Sequence, residues 1–249
     1  MDPEDIKFKY RWTYDFAGLV HQLVYENPPE EYLQDYFSPQ DNKFLDKISK
    51  PQKHTILHDL IEIRWILDYE YLSRKLDYED LINHFEEILK VYNVKVNKRD
   101  PDDRKYCDSL EKLMPKANPP IVGEIFNILY GDRMFLLKLN EIASKTVRCM
   151  KMNEFPKILE KDGVLKRRNC LPIWLKYAVR HRDKDRCQGC GKDLSVMRKP
   201  HHELCYDHIV PLNKGGTNDP TNFQLLCNDC NLKKGGVVIK TSEYYTPYW

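Results

Sequence analysis

The sequence predicts a mainly α-helical N-terminal domain followed by a small α+β C-terminal domain. Three observations support this division. Apolar residues recur at helical spacing through residues 1–165, two C-x2-C pairs lie at 187–190 and 227–230, and a strand pattern with a Gly-Gly turn separates the pairs. We therefore place a helical domain at residues 1–165 and a second domain at residues 170–249, with the junction beginning at Lys161-Asp162-Gly163.

The N-terminal helices are indicated by periodicity and by capping signals. Asp77 with Asp80 is typical of a helix start, and Asn118-Pro119-Pro120 opens a helix that Gly131-Asp132 interrupts. The charged, proline-containing stretch from Asn93 to Lys105 is expected to be an exposed loop. Further helices are predicted at Thr13–Tyr25, Glu31–Phe37, His54–Arg74 and Leu171–Arg182.

Composition points to a soluble protein with a basic C-terminal part. Of the 249 residues 41% are hydrophobic and 31% charged, and neither a signal region nor a membrane-spanning run is visible, so we expect a cytoplasmic location and no membrane partner. Residues 166–249 carry 15 Lys or Arg against 8 Asp or Glu, a balance of +7 that leaves −5 for residues 1–165 of the total of +2. A basic domain suits a nucleic-acid partner, although a solvated basic surface is also common.

The paired cysteines predict a structural zinc site. Cys187, Cys190, Cys227 and Cys230 supply the four thiolates of a tetrahedral zinc. A C-x2-C pair can also be a redox dithiol, but two pairs without a secretory signal favour metal. Four protein ligands leave no open position, so this ion is expected to stabilise the fold and to take no part in catalysis.

The segment between the pairs carries a more specific pattern. A strand is predicted at Tyr206–Leu212, a second extended run at Phe223–Leu226, and a helix from Asn231 to Lys234 that stops at Gly235-Gly236. The pair Asp207-His208 comes first in this segment. Asn222 lies 14 residues after His208, and Asn231 lies nine residues after Asn222. The segment also contains the sequence motifs DHIVPL, N-x-Q-L-L-C and C-N-x-x-K. Together these features resemble the four-cysteine zinc form of the HNH endonucleases, which are also called the ββα-metal or His-Me finger class.

The resemblance implies roles for these residues. His208 would activate water, Asp207 and Asn231 would hold a catalytic divalent ion, and Asn222 would fix the loop and orient His208. Asn231 stands where the family name promises a histidine. A carboxylate with an amide oxygen suits Mg²⁺ or Mn²⁺, so this ion is expected to be distinct from the zinc.

The implied activity is metal-dependent hydrolysis of phosphodiester bonds, with DNA preferred over RNA. Lys233 and Lys234 are candidate phosphate contacts, and Lys166-Arg167-Arg168 either follows a nucleic-acid backbone or forms a solvated linker. Residues 1–165 carry no chemical motif and are expected to select the target or bind a protein partner. The resemblance places the activity in restriction, anti-phage defence or mobile-element cleavage.

Two other functions compete with this interpretation. A non-catalytic zinc module that binds nucleic acid or protein would need the cysteines and the basic charge but neither Asp207 nor His208. A zinc deaminase would use an H-x-E motif, present as His201-His202-Glu203, with Cys227 and Cys230. Leu226 stands where that motif requires proline, and the first cysteine pair would then have no use.

Overall fold

The computed structural model describes residues 8–9, 11–25, 36–195 and 204–243. The chain forms two compact units, the first made of Met1–Leu23 and Leu57–Leu129 and the second of Val24–Ile56 and Tyr130–Trp249. The expected junction near residue 165 lies inside the second unit, and the division into domains at 1–165 and 170–249 stays a prediction. Among the described helices, none is both long and apolar enough to cross a membrane.

Aspartates begin most of the N-terminal helices. Asp41, Asp77, Asp102 and Asp132 each accept a hydrogen bond from a backbone N–H of the first helical turn. These bonds satisfy donors that have no partner inside the helix. The cap at Asp102 also ends the predicted exposed loop earlier than expected. The helices are α1 Thr13–Tyr25, α2 Asn42–Ser49, α3 Ile56–Lys75, α4 Tyr78–Val91, α5 Asp103–Glu111, α6 Asn118–Gly131 and α7 Arg133–Cys149.

The first unit is helical and contains a buried polar centre. Glu124 on α6 is buried, and its carboxylate accepts hydrogen bonds from the Thr13 hydroxyl at 3.1 Å, the Tyr92 hydroxyl at 3.0 Å and the Lys9 backbone N–H at 3.1 Å. Burying a carboxylate without such hydrogen-bond donors would lower the free energy of unfolding. These bonds therefore fix α6 to the residues around it.

A β-hairpin follows α7 where the sequence suggested a linker. β1 Leu159–Lys161 and β2 Val164–Leu165 pair antiparallel, and Gly163 turns between them at φ +69°. A Cβ on Gly163 would also lie 3.0 Å from the Arg148 carbonyl oxygen, so both conformation and space favour glycine. β2 packs against α7 and against a short 3-10 helix at Leu212–Lys214.

The C-terminal part of the second unit is a two-stranded sheet between two helices. β3 Cys205–His208 pairs antiparallel with β4 Phe223–Leu226, with Asp207 opposite Gln224 and His208 opposite Phe223. α8 Ile173–Arg182 packs against β4, and α9 Asn228–Lys234 packs against β3. The predicted fold class, a helical N-terminal region with a small strand-containing C-terminal region, is confirmed. The buried core of this part comprises Leu175, Val179, Cys187, Leu194, Phe223, Leu225, Leu226 and Cys227.

Candidate active site

The four predicted zinc ligands lie together. The sulfur atoms of Cys187, Cys190, Cys227 and Cys230 are all within 4.8 Å of one another, and those of Cys190 and Cys227 are 3.9 Å apart. A tetrahedral zinc with Zn–S bonds of about 2.3 Å requires sulfur separations of roughly 3.8 Å. The cluster therefore fits a four-thiolate zinc with no open coordination position.

Backbone N–H groups point at these sulfurs. Cys187 Sγ accepts from Gly189 N at 3.3 Å and from Cys227 N at 3.2 Å, and Cys227 Sγ accepts from Cys230 N at 3.5 Å. Such donors favour the charged thiolate. Burial, followed by hydrogen bonds from the neighbouring thiols, raises the pKa of Cys230 when no cation is present. A dication among the sulfurs reverses that preference, which couples zinc binding to folding.

A buried ion pair connects α8 to the strand that leads into the second cysteine pair. Arg182 donates to both carboxylate oxygens of Asp183 and to the Phe223 carbonyl, and its guanidinium lies 5.0 Å from the ring centroid of Tyr130. Asp183 Oδ2 accepts from Leu225 N at 2.8 Å. Both charges are paired and hydrogen-bonded, so their burial is compensated and β4 is held in place.

Asp207 and His208 end β3 and are attached to α9 by one lysine. Lys234 Nζ lies 2.8 Å from Asp207 Oδ2 and donates to the His208 carbonyl at 2.7 Å. Gln224 Nε2 donates to the same Asp207 oxygen at 3.3 Å. Lys234, a candidate phosphate contact in the sequence, thus faces inward with its side chain 7% exposed, whereas Lys233 is exposed.

The imidazole of His208 is buried and uncharged. The residue is 3% exposed, and its ring centroid lies 4.5 Å from that of Phe223. Nε2 is 3.4 Å from Oδ1 of Asn218. Burial, then the positive charge of Arg167 and less so that of Lys234, lowers the pKa of His208 to about 3. The ring is therefore neutral near pH 7, the form that can accept a proton.

Arg167 differs from the two cations beside it. Lys166 Nζ donates to the Pro156 carbonyl, and Arg168 Nε donates to the Ser49 carbonyl. Arg167 is exposed and makes no ion pair or hydrogen bond within the described part of the chain, but its positive charge lowers the pKa of His208. Lys166 and Arg168 thus stabilise the fold through backbone carbonyls, whereas the Arg167 side chain is free to bind a ligand near the imidazole.

Asn222 fastens the loop that follows His208. Its Oδ1 accepts from Val210 N at 2.8 Å, and its Nδ2 donates to the carbonyls of Val210 at 3.0 Å and Thr217 at 2.9 Å. Its own carbonyl accepts from Ile209 N at 2.7 Å. The side-chain bonds of Asn222 thus go to the loop backbone, and the side chain that accepts a hydrogen bond from the imidazole is that of Asn218.

One glycine and a residue of α7 shape the same loop. A Cβ on Gly216 would lie 1.8 Å from the Val210 carbonyl oxygen, so no other residue fits this turn. Asn140 is fully buried on α7, where its amide donates to the Thr221 hydroxyl at 3.1 Å and its Oδ1 accepts from the Thr217 hydroxyl at 3.2 Å. These bonds fix residues 217–221 and with them Asn218.

Asn231 is half-buried in α9, three residues before Lys234. Residues three apart share a helix face, and Lys234 contacts Asp207. Asn231 is therefore on the α9 face that includes the lysine bound to β3. By contrast, His201 and Glu203 of the H-x-E motif lie outside the described residues.

Sequence reasoning missed Asn218, Gln224 and the ion pair of α8. Their partners are distant in the chain, so no local pattern marks them. The only visible signal for Asn218 was a polar turn after Gly215-Gly216, which ordinarily indicates an exposed loop.

No curated protein and no solved structure matches this chain. A family model does match part of it, from Cys187 into the turn after α9. That part contains the four cysteines, β3, β4 and α9. The resemblance inferred from the sequence is confirmed, because residues 187–236 match the family described as HNH endonuclease.

Proposed function

We propose that the protein is a metal-dependent endonuclease that hydrolyses phosphodiester bonds, with DNA preferred over RNA. One observation carries the proposal. Within the segment that matches the HNH endonucleases, a neutral imidazole and a carboxylate occupy consecutive positions at the end of β3, and β4 and Lys234 of α9 hold that strand end.

His208 serves as the general base. Hydrolysis needs a nucleophilic water, and a neutral imidazole can take its proton as the water attacks phosphorus. Burial lowers the pKa of His208 in the free protein well below the range that is best for a base, and the charges of Arg167 and Lys234 lower it further. A bound phosphodiester carries negative charge and offsets these two cations, which makes the imidazole a stronger base when substrate is present.

Asp207 and Asn231 would hold the divalent ion. Asp207 Oδ2 is used by Lys234 and Gln224, whereas Oδ1 has no hydrogen-bond partner among the described residues. A fixed carboxylate with one free oxygen, together with an amide oxygen, is a hard donor set that suits Mg²⁺ or Mn²⁺. When bound, the ion supplies charge stabilisation to the phosphate and to the departing oxygen.

The nucleic-acid backbone is contacted by exposed cations around His208. Arg167 and Lys233 are the candidates, since both side chains are exposed and Arg167 is close enough to affect the imidazole. A guanidinium pairs well with phosphate oxygens. Lys234 acts indirectly, because its ammonium group positions Asp207 and the end of β3.

Residues 1–165 select the target or bind a protein partner, and the setting implied by the family is restriction or anti-phage defence. The acidic balance of these residues favours the protein partner over direct contact with a polyanion, so target selection would act through that partner.

A non-catalytic module that binds nucleic acid is the second candidate. The burial of His208 favours it, because a histidine that is 3% exposed with a low pKa is also what a purely structural role would give. The module needs the zinc and the basic charge, and Asp207 would then contribute only its ion pair with Lys234.

Nicking of supercoiled plasmid by purified zinc-loaded protein, with Mg²⁺ or Mn²⁺ added, separates the two. The endonuclease predicts metal-dependent nicking that Asp207→Asn abolishes or shifts to a higher metal concentration. The matched control is His181→Ala, which changes an exposed residue at the end of α8 and should nick normally. DNA retention on a gel without nicking under any metal condition would favour the module.

A further inference from the structure

Asn218 is a fully buried residue whose side chain has only one possible orientation. Its Nδ2 donates to the carbonyls of Ser49 at 3.3 Å and Lys166 at 3.0 Å. Its backbone N–H donates to the Ile48 carbonyl at 2.9 Å. Because both carbonyls can only accept, the nitrogen of the amide must face them, and Oδ1 is left to face His208.

This orientation determines which ring nitrogen of His208 carries hydrogen. A neutral imidazole has one N–H donor and one bare nitrogen, and Asn218 Oδ1 can only accept. The contact between Nε2 and Oδ1 at 3.4 Å is therefore favourable only when Nε2 is the N–H. Nδ1 is then the bare nitrogen, and it makes no hydrogen bond to any residue that the structure describes.

We propose that Asn218 is a positioning residue that keeps the neutral imidazole of His208 in the tautomer with hydrogen on Nε2, so that Nδ1 faces the attacking water as the base. This inference rests on the proposed nuclease function for its catalytic meaning, but the tautomer itself is a property of the free protein. The other tautomer would set two lone pairs against each other in a buried site. A preference of roughly tenfold or more for hydrogen on Nε2 follows.

The segments that orient Asn218 lie outside the matched family region of residues 187–236. Ser49 ends α2, and Lys166 directly follows β2. The neighbouring Asp219 repeats the arrangement, since its Oδ2 accepts from Ile56 N at 3.0 Å while its Oδ1 accepts from Thr221 N at 2.9 Å. The imidazole is thus oriented by residues of the second unit that precede the HNH segment in the chain. Ser49 lies 138 residues before the first residue of that segment.

Nitrogen-15 NMR of histidine-labelled, zinc-loaded protein at pH 7.5 measures the tautomer without substrate. The signals of His208 among the eight histidines are assigned by their loss in His208→Gln. We expect the Nε2 signal to be of the N–H type and the Nδ1 signal of the bare type. In Asn218→Leu, which keeps the size but removes the acceptor, we expect the preference to fall by tenfold or more towards a mixture.

Thr13→Val is the matched control. It removes a buried hydroxyl bonded to Glu124 in the first unit, and it leaves the His208 contact in place. This variant should therefore lose stability while retaining the Nε2–H tautomer. In cleavage assays Asn218→Leu should lower kcat with little change in KM, and Thr13→Val should change neither.

Wild-type protein with hydrogen on Nδ1, or an unchanged tautomer in Asn218→Leu, would overturn the inference. Where the leucine variant fails to fold, a wild-type spectrum with hydrogen on Nδ1 still overturns the inference. An Nε2–H tautomer that Asn218→Leu shifts, in a protein that cleaves no nucleic acid, would support the role of Asn218 and refute the proposed endonuclease.

Discussion

Gly189 lies inside the first cysteine pair, and replacing it by alanine tests whether the four cysteines form a closed zinc site. A Cβ at this position would lie 2.8 Å from both the Cβ and the Sγ of Cys230, whereas ordinary contacts are 3.4–4 Å. The backbone or Cys230 must therefore move by about 0.6 Å to restore a 3.4 Å contact. A sulfur bound to zinc at about 2.3 Å cannot move that far, because metal–ligand distances tolerate only about 0.2 Å.

We expect Gly189→Ala to lower zinc affinity about 10- to 100-fold, as for other groups that support metal ligands. That loss corresponds to about 1.4–2.8 kcal/mol of binding free energy. Competition with a chromogenic zinc chelator measures it directly. The control is Gly123→Ala, a helical position where a Cβ meets nothing within 4 Å, which should bind zinc as wild type does. Equal affinities in the two variants would refute the closed four-thiolate site.

Three further predictions concern stability and binding. Burial raises the pKa of Asp219 from 3.8 to about 6, so the stability that its protonated form contributes is lost as pH rises through 6. When the pH is lowered from 7 to 5, the unfolding free energy of wild type, measured with urea, should rise by about 1 kcal/mol relative to that of Asp219→Asn. A difference between the two proteins that does not depend on pH would contradict this. Asn140→Ala removes one hydrogen bond from each of the buried hydroxyls of Thr217 and Thr221 and should cost about 2–3 kcal/mol of unfolding free energy, whereas Asn127→Ala, at an exposed helical amide, should cost under about 1 kcal/mol. Arg167→Ala should weaken DNA binding and reduce the salt dependence of log K by about one, and the same result for the exposed Lys98→Ala would show that the effect is not local.

Local chemistry explains what the sequence could predict. Two C-x2-C pairs restrict the ligand geometry so strongly that the cluster was predictable without knowing the fold. Asp77 before α4 and Gly131-Asp132 between α6 and α7 act within one helical turn, so these boundaries were visible as well.

Long-range contacts explain what it could not. The turn at Asp162-Gly163 resembles a linker in composition, and only its pairing in the β1–β2 hairpin and its fit against Arg148 reveal it as structure. Lys234 carries the charge of a phosphate contact, but its direction depends on how α9 packs against β3. For Asn218, the carbonyls that orient the amide come from Ser49 and Lys166, so its importance appears only after folding.

The most direct test of the account is the single-turnover rate at which zinc-loaded His208→Ala cleaves plasmid DNA with Mg²⁺ or Mn²⁺, relative to wild type. General-base catalysis by the imidazole predicts a fall of about 10²-fold or more, with zinc content and DNA affinity unchanged. A His208→Ala variant that cleaves as fast as wild type would show that the imidazole at the end of β3 is not the base.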